Sequence, residues 1–329
     1  MRKLSQIFFG KTGRKNNELM PTSINDPDWQ KRNWFRLALS VKGSVIIAIL
    51  PRVILCSVFG LVISLFYELG FSVSLPVLSG LVPSIVLGLL LVFRTNTAYE
   101  HFWEGRKIWG MLVNTVRNLA RQIWTAIAEN NSEDKQAKEE TLRLLVAFAV
   151  ATKQHLRGER SHRELEPLMS AERYQILQSM NHPPLEIAFW IGDYLQKQHE
   201  RDYLNTYQLT AMLKLLDIMV DLLGMCERIL KTPIPLGYSI HLKQLLLIYC
   251  LSLPFPMVSE LNWLTGIVVG VISFAVFGVE EIGIEIENPF GYDTNDLPLD
   301  TICTTMQHNI EDLITLEPFV RHWKMTNNQ

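Results

Sequence analysis

Hydrophobic residues along the chain are concentrated in four long segments that contain few or no charged residues. These segments are residues 43–66, 73–93, 238–258 and 261–279. An apolar helix of about 20 residues spans the hydrocarbon core of a bilayer, whereas uncharged runs of this length are rare in the cores of soluble proteins. The pattern therefore predicts an all-α membrane protein with four transmembrane helices in two hairpins, and it disfavours the alternative of a soluble helical protein.

The charged residues between these segments predict their orientation in the membrane. The connections within the two hairpins hold Glu68 and Glu260 and no Lys or Arg. Basic residues instead precede the first segment, and more follow the second from Arg94 onwards. Because cytoplasmic flanks of membrane helices carry the excess of Lys and Arg, we expect both termini and the central region to be cytoplasmic. The basic residues before the first segment are Arg2, Lys3, Lys11, Arg14, Lys15, Lys31, Arg32, Arg36 and Lys42.

The second segment contains a row of large apolar residues on one predicted helical face. Ile85, Leu89 and Phe93 recur every four residues, and such residues lie one above the other on a helix. Taken alone, this row is typical of a membrane helix that faces lipid or packs against a neighbour. The helical pattern continues without a break to Gly110, however, so one face needs a lining of protein or water along its length. We therefore interpret Ile85, Leu89 and Phe93 as candidate pore residues.

Three polar residues follow this row directly. Arg94 ends the apolar segment, and Asn96 and Glu100 continue the same stretch of helix. A helix that begins in lipid and continues into water brings such side chains to the mouth of a pore or to a contact between subunits. We predict one of these two locations for Arg94, Asn96 and Glu100.

A proline-rich linker joins the central region to the third segment. Its sequence is TPIP, residues 232–235, with Ile234 between two prolines. Proline fixes its own φ angle and restricts the residue before it to extended conformations, so the linker cannot be helical there. One interpretation is a rigid spacer. The functional alternative is a second constriction in which Ile234 points into a pathway.

The remaining chain is predicted to be helical between and around the two hairpins. Residues 104–236 show helical periodicity and few strand signals, which indicates a large helical bundle. The predicted organisation is a cytosolic N-terminal segment (1–42), a first transmembrane hairpin with the pore-lining helix (43–103), a cytosolic helical domain (104–236), a second transmembrane hairpin (237–279) and a cytosolic C-terminal segment (280–329).

Composition agrees with a membrane protein and excludes other classes. The 329 residues are 48% hydrophobic with a mean hydropathy of +0.12, which is high for a soluble chain. The net charge of −2 provides no electrostatic attraction for nucleic acid. The four cysteines are widely spaced, and three of them lie in apolar or helical surroundings, so we predict buried free thiols rather than disulfides or metal ligands.

No motif indicates an enzyme, a metal or a cofactor. His155, His162 and His182 lack the spacing of metal ligands and are predicted to be surface or helix-cap residues. No pair of carboxylates is placed for hydrolytic chemistry. We therefore expect a protein that is not an enzyme.

An acidic turn near the C-terminus offers oxygen ligands of the kind that Ca²⁺ prefers. It contains Asp293, Asn295, Asp296 and Asp300, but lacks the glycine and terminal glutamate of an EF-hand loop. We favour the alternative of a solvated turn, with an aspartate capping a helix that starts near Leu299.

Several stretches together resemble the bestrophin family, in its prokaryotic and plastid branch. The longest is FRTNTAYEHFWEGRKIWG at residues 93–110. Four shorter stretches, CER at 226–228, TPIP at 232–235, NPFG at 288–291 and NDLPLD at 295–300, are also similar to that family. The matches extend from the second segment to the C-terminal region, and their combination is specific.

The resemblance implies a homopentamer around a central pore, with four membrane helices and a cytosolic vestibule contributed by each subunit. By position, Ile85, Leu89 and Phe93 correspond to the hydrophobic neck of the family, and Ile234 to its cytosolic aperture. Animal members carry a calcium clasp, an acidic run directly after the Asn-Pro-Phe-Gly turn. Here the sequence YDTND interrupts that run, so we expect no calcium gating.

The resulting hypothesis is a homopentameric ion channel in a bilayer, either the bacterial inner (plasma) membrane or a thylakoid membrane. We expect small monovalent ions to pass, with anions (chloride, and bicarbonate as a related anion) favoured because the longest stretch is closer to plastid members. The resemblance leaves a cation-selective homologue open, since some bacterial relatives prefer cations. A non-conducting membrane scaffold and a transporter are further alternatives.

Overall fold

The structure is a computed structural model that describes residues 39–41, 43–75, 81–159 and 163–317. Within these ranges it is all-helical, with no strand. A 3₁₀-helix, Arg163–Leu168, follows the third of the α-helices. The α-helices are α1 (Ile46–Glu68), α2 (Leu81–Ala126), α3 (Ser132–Arg157), α4 (Ala171–Gln178), α5 (Pro183–Glu200), α6 (Thr206–Lys231), α7 (Leu236–Ser252), α8 (Pro254–Leu261), α9 (Leu264–Glu287) and α10 (Leu299–Thr315).

Three helical stretches among the described residues are long and apolar enough to cross a membrane. They are α1, the nearly continuous pair α7–α8 (Leu236–Leu261) and α9. The first, third and fourth predicted segments are therefore each matched by a helix of membrane length. These assignments rest on length and composition, because a helix must be long and apolar enough to cross the hydrocarbon core of a bilayer.

The second predicted segment differs from its prediction at its N-terminal end. Residues 73–75 are not helical; the Leu75 backbone N–H instead donates to Phe255 O at 3.0 Å. Residues 76–80 lie outside the described part of the chain, and the described part of α2 runs from Leu81. Thirteen of its residues precede Arg94, which is about 20 Å at 1.5 Å per residue. The count of four spans stays a prediction.

The continuity of α2 agrees with its sequence pattern. The helix runs through 46 residues, which is about 69 Å, and passes Arg94 without interruption. Pro83 lies in its first turn, where the missing N–H would have no helical partner in any case. The predicted domain boundary at residue 103 lies inside this helix, so a single rigid element joins the apolar segment to the bundle beyond it.

The proline pair after α7 does not end the helical stretch, although the sequence pattern indicates a helix-breaking element there. Leu253 has helical backbone angles, and Pro254 is the first residue of α8. Proline is tolerated in a first turn because its ring already has a helical φ angle. The chain therefore continues as a short helix up to Leu261.

Small residues allow α1 and α9 to pack closely. A Cβ built on Gly266 would lie 2.5 Å from Leu61 Cγ and 2.9 Å from the Ser57 carbonyl oxygen. The Ser57 hydroxyl donates to Gly266 O at 2.9 Å, and the Ser64 hydroxyl donates to Asn262 O at 2.9 Å. Close backbone approach and hydroxyl hydrogen bonds are the usual means of holding membrane helices together, because lipid provides no hydrophobic drive for their association.

The helical bundle has its own hydrophobic core, in which the C-terminal half of α2 packs with α3, α5, α6 and α10. Trp109, Trp124 and Phe148 are fully buried there. The ends of α3 follow from its sequence, since the Asn131 side chain accepts from Asp134 N at 2.7 Å and Gly158 closes the helix with a φ of 66°. All four cysteines are free and buried, which confirms the prediction made for them.

Substituting Gly266 tests the α1–α9 contact. Gly266→Ala should destabilise the protein by about 1–3 kcal/mol, because the added methyl group overlaps backbone and side-chain atoms of α1. Gly278→Ala, on the same helix, is the matched control, since its Cβ would meet only Ile49 Cδ1 at 3.8 Å. Thermal unfolding in detergent should therefore separate the two variants; equal unfolding temperatures would contradict the close approach.

Candidate functional site

The predicted pore residues lie on an exposed face of α2. Ile85, Leu89 and Phe93 are 53%, 53% and 62% exposed on the protomer. Asn96 and Glu100 are exposed as well, and at about 100° per residue all five fall within about 80° of the helical circumference. We call these five residues the α2 stripe. Its apolar members need a covering of lipid, of another copy, or of a pathway too narrow for bulk water.

The opposite face of α2 packs into the protomer. Leu87 and Leu91 are buried in the core formed with α1, α7 and α9, and Ala98 is fully buried further along. This packing fixes the rotation of α2 about its own axis, so the α2 stripe cannot turn inward. The structure thus leaves these side chains available on the outside of the protomer, as a shared pore requires.

Arg94 is placed differently from its neighbours on α2. It is 4% exposed and lies inside the protomer, where its Nη2 donates to Glu287 Oε2 at 2.6 Å. The other oxygen of the same carboxylate, Oε1, accepts from the backbone N–H of Ile234 at 2.8 Å. Glu287 therefore connects α2 and the proline-rich linker. We call this group the Arg94–Glu287–Ile234 bridge.

The linker itself has the predicted non-helical backbone. Thr232 ends α6, and Pro235 precedes the first residue of α7. Ile234 is half-buried between two cavities of about 490 and 420 Å³, both of which are also lined by Arg94. The structure therefore brings the candidate aperture residue Ile234 close to the Phe93 end of the candidate neck, although Ile234 and Arg94 are 140 residues apart in sequence.

The charges near the apolar segments are largely paired. Arg52 Nη1 lies 2.8 Å from Glu281 Oε2 and 3.4 Å from Glu280 Oε2. Arg228 Nη2 similarly lies 2.8 Å from Glu104 Oε1, which joins α6 to α2. Together with the pairing of Arg94, these contacts leave Glu100 as an exposed acidic side chain on the α2 stripe.

Two histidines that sequence spacing does not connect lie together in the bundle. His155 on α3 and His182, the N-cap residue of α5, have Nε2 atoms 2.7 and 2.9 Å from the same oxygen, Glu227 Oε1. Burial raises the pKa of Glu227, but hydrogen bonds from His182, Lys231 and His155 bring it down to about 2. Spacing along the chain gave no signal because the contacts join residues 45 and 72 positions apart. His162 lies outside the described residues.

The acidic turn is folded onto itself. Asp296 is buried and its Oδ2 accepts from Asp293 N at 2.8 Å. Burial raises the pKa of Asp296 to about 6. Asp300 does not cap α10, whose N-cap is Pro298; instead its Oδ1 lies 2.7 Å from Lys153 Nζ and its Oδ2 lies 3.0 Å from Arg157 Nη1. Asp300 therefore attaches the first turn of α10 to α3 through ion pairs.

The three membrane-length helices and the helical bundle define an integral membrane protein, and the comparisons with known proteins specify which kind. Residues 28–312 match the family described as Bacterial/Fungal Bestrophin protein. The chain belongs to the bestrophin family, as the sequence resemblance predicts.

The relatives are similar over nearly their whole length. A protein of Nostoc sp. named as a voltage-dependent anion channel-forming protein is 62% identical over 291 residues, which is 88% of this chain and 95% of the relative. An Escherichia coli K12 protein of the same designation is 30% identical over 84% of this chain and 90% of the relative. A crystal structure of a bacterial bestrophin homologue from Klebsiella pneumoniae, carrying a point mutation, has a TM-score of 0.72 and 28% identity, covering 83% of this chain and all of that one.

Substitution of Glu287 tests the Arg94–Glu287–Ile234 bridge. Glu287→Ala should destabilise the protein by about 3–5 kcal/mol, because it leaves the buried Arg94 guanidinium without its counter-charge. Glu287→Gln should cost less, since the amide oxygen can still accept from Ile234 N. Asp193→Ala is the control: it breaks an exposed ion pair with Lys197, which is worth about 0–1 kcal/mol. If denaturant unfolding gave the Glu287→Ala and Asp193→Ala variants equal stabilities, the bridge would not contribute to the stability of the fold.

Proposed function

We propose that the chain forms a homopentameric channel that conducts small monovalent anions, with chloride as its main permeant ion. The observation that carries this proposal is the α2 stripe, an exposed apolar row on a continuous helix in a bestrophin. The relatives named as anion channel-forming proteins support the direction of selectivity. We further propose that both termini are cytoplasmic and that the host membrane is a bacterial inner membrane or a thylakoid membrane.

Five-fold symmetry would turn each residue of the neck into a ring. Rings of Ile85, Leu89 and Phe93 present no fixed charge and no hydrogen-bonding side chain to a passing ion. In a neck narrow enough to exclude water, an ion must lose its hydration shell, for which the idealised cost is on the order of 20 kcal/mol. A modest widening admits water and removes most of that cost. The neck is therefore a hydrophobic gate, and it contributes little to the choice between anions and cations.

Ile234 forms the second narrow point of the proposed pathway. Its backbone is held by Glu287 and by the proline on either side, so the side chain position depends little on the flexibility of the linker. A small apolar ring at the cytosolic end would select by size and by ease of dehydration. The free-energy cost of dehydration at such a ring is smaller for weakly hydrated anions than for strongly hydrated ions.

A cation-selective channel is the second candidate, and Glu100 is the observation that favours it. Its carboxylate is exposed on the α2 stripe, so a pentamer would place a ring of acidic side chains there. Rings of acidic side chains favour cations. Arg52 and Arg94 provide little opposing field, because both are already paired with carboxylates.

Reversal potentials distinguish the two candidates. Purified protein in a planar bilayer with asymmetric KCl should reverse near the chloride equilibrium potential, because anions carry the current. Glu100→Gln should increase this preference by removing negative charge from the pathway. Reversal near the potassium potential, shifted towards chloride by Glu100→Gln, would instead identify the cation-selective homologue. A chain that inserts and carries no current would be a scaffold.

Shortening a neck side chain tests the gate. Leu89→Ala should raise the open probability or the basal current several-fold, because a wider and less apolar ring holds water more readily. Ile248→Ala is the matched control: Ile248 is also an exposed apolar residue on a membrane-length helix, 64% exposed on α7, but lies off the α2 stripe. Single-channel recording of both variants measures the effect. Unchanged gating in Leu89→Ala, or an equal increase in Ile248→Ala, would place the gate elsewhere.

A further inference from the structure

Three potential metal ligands from separate parts of the chain converge in the helical bundle. They are one nitrogen each from His155 and His182 and an oxygen of Glu227, and these atoms all lie within 4.8 Å of one another. His155 belongs to α3, His182 precedes α5 and Glu227 lies in the last two turns of α6. The cluster is separate from the α2 stripe and from the Arg94–Glu287–Ile234 bridge, and the proposed ion pathway does not use it.

The carboxylate of Glu227 is already oriented towards both histidines. Glu227 Oε1 faces both imidazoles, while its other oxygen, Oε2, is held by Lys231 Nζ at 3.1 Å. Such a contact in the outer shell fixes the orientation of a ligating carboxylate. The two rings lie side by side, with centroids 4.5 Å apart and a tilt of 43°.

The cluster is shielded and yet reachable from solvent. The side chains of His155, His182 and Glu227 are 24%, 36% and 19% exposed. His182 Nδ1 is buried and has no hydrogen-bond partner among the residues that the structure describes. The ion would bind through Nε2, the ring nitrogen that faces Glu227 Oε1 in both histidines, so this Nδ1 stays outside the coordination.

We propose that His155, His182 and Glu227 form a binding site for a divalent transition-metal ion, of which Zn²⁺ is the best fit. Two imidazoles and one carboxylate suit Zn²⁺ and its neighbours in the first transition series, whereas Mg²⁺ and Ca²⁺ prefer sites made only of oxygen. Three protein ligands leave one position of a tetrahedral site for water.

The adjustment that metal binding requires is small. Metal–ligand distances of about 2.0–2.2 Å separate the donor atoms of a tetrahedral zinc site by about 3.3–3.6 Å. The two nitrogens now lie 2.7 and 2.9 Å from Glu227 Oε1, so each has to move outward by less than about 1 Å. All three donor atoms already lie within 4.8 Å of one another, so the shifts that bring them to the spacing of a zinc site are about 1 Å each, which is the scale of a side-chain rotation. The ion replaces the two hydrogen bonds that it breaks.

Zinc titration of the full-length protein tests the site. Protein in detergent, free of any histidine tag and stripped with EDTA, is titrated with ZnCl₂ against a chromophoric chelator. We expect one Zn²⁺ per protomer bound with a single affinity, and no displacement by excess Mg²⁺. His155→Gln and His182→Gln should each weaken this binding by at least about 100-fold, since loss of a direct ligand exceeds the effect of an outer-shell change.

Two comparisons keep the result unambiguous. His308→Gln removes an exposed histidine on α10, and it should leave the affinity unchanged. His182→Gln alters a partly exposed residue whose side chain makes no capping hydrogen bond, so the fold should persist, and circular dichroism checks this. Stoichiometric binding that survives both cluster substitutions, or the absence of binding to the unaltered protein, would overturn the proposal. Neither outcome depends on whether the protein conducts ions.

Discussion

A single uninterrupted helix, α2, is the element on which the rest of the structure depends. In lipid every backbone N–H and C=O must be satisfied within the chain, so an apolar segment has to be helical. Here the same hydrogen-bond ladder continues past Arg94 and through 46 residues into the bundle. The membrane-length helices α1, α7 and α9 pack on one face of its first part, and α3, α6 and α10 pack around its second part. Packing along both parts fixes the rotation of α2 about its own axis, and it therefore determines which face of α2 stays exposed on the protomer.

Two arginines close to the apolar helices are neutralised by ion pairs. Arg52 and Arg94 lie in or beside apolar segments, and each faces a carboxylate of α9. A buried ion pair adds little net stability, because desolvation offsets the attraction between its members, but it is expensive to break. The buried Arg94–Glu287 pair therefore acts mainly to position α9 against α2, and the more exposed pairs of Arg52 connect α9 to α1. A consequence is that selectivity cannot be read from a count of basic residues near the membrane, since the paired guanidinium groups contribute little field.

The features that could be predicted from sequence are those that depend on local chemistry. Length and hydropathy were enough for the helices now named α1, α7–α8 and α9, and the unbroken pattern around Arg94 was enough for the continuity of α2. The non-helical backbone of residues 73–75 was missed, because apolar residues such as Leu75 suit a helix and an extended connection equally well. The continuation of the helical stretch through Pro254 is equally hard to predict, since a proline is disruptive inside a helix but acceptable in its first turn. The partners of Arg94 and the grouping of His155 with His182 depend on contacts between distant residues, which no local pattern encodes.

The shared carboxylate of Glu287 has a thermodynamic consequence. One side chain serves both the guanidinium next to Phe93 and the amide of Ile234, so the conformations of α2 and of the linker are coupled. Coupling of this kind is reciprocal: whatever free energy a movement of the linker transfers to α2, a movement of α2 must return to the linker. A mutation or ligand that acts at either end of this short path therefore alters the conformational equilibrium of the other without touching it.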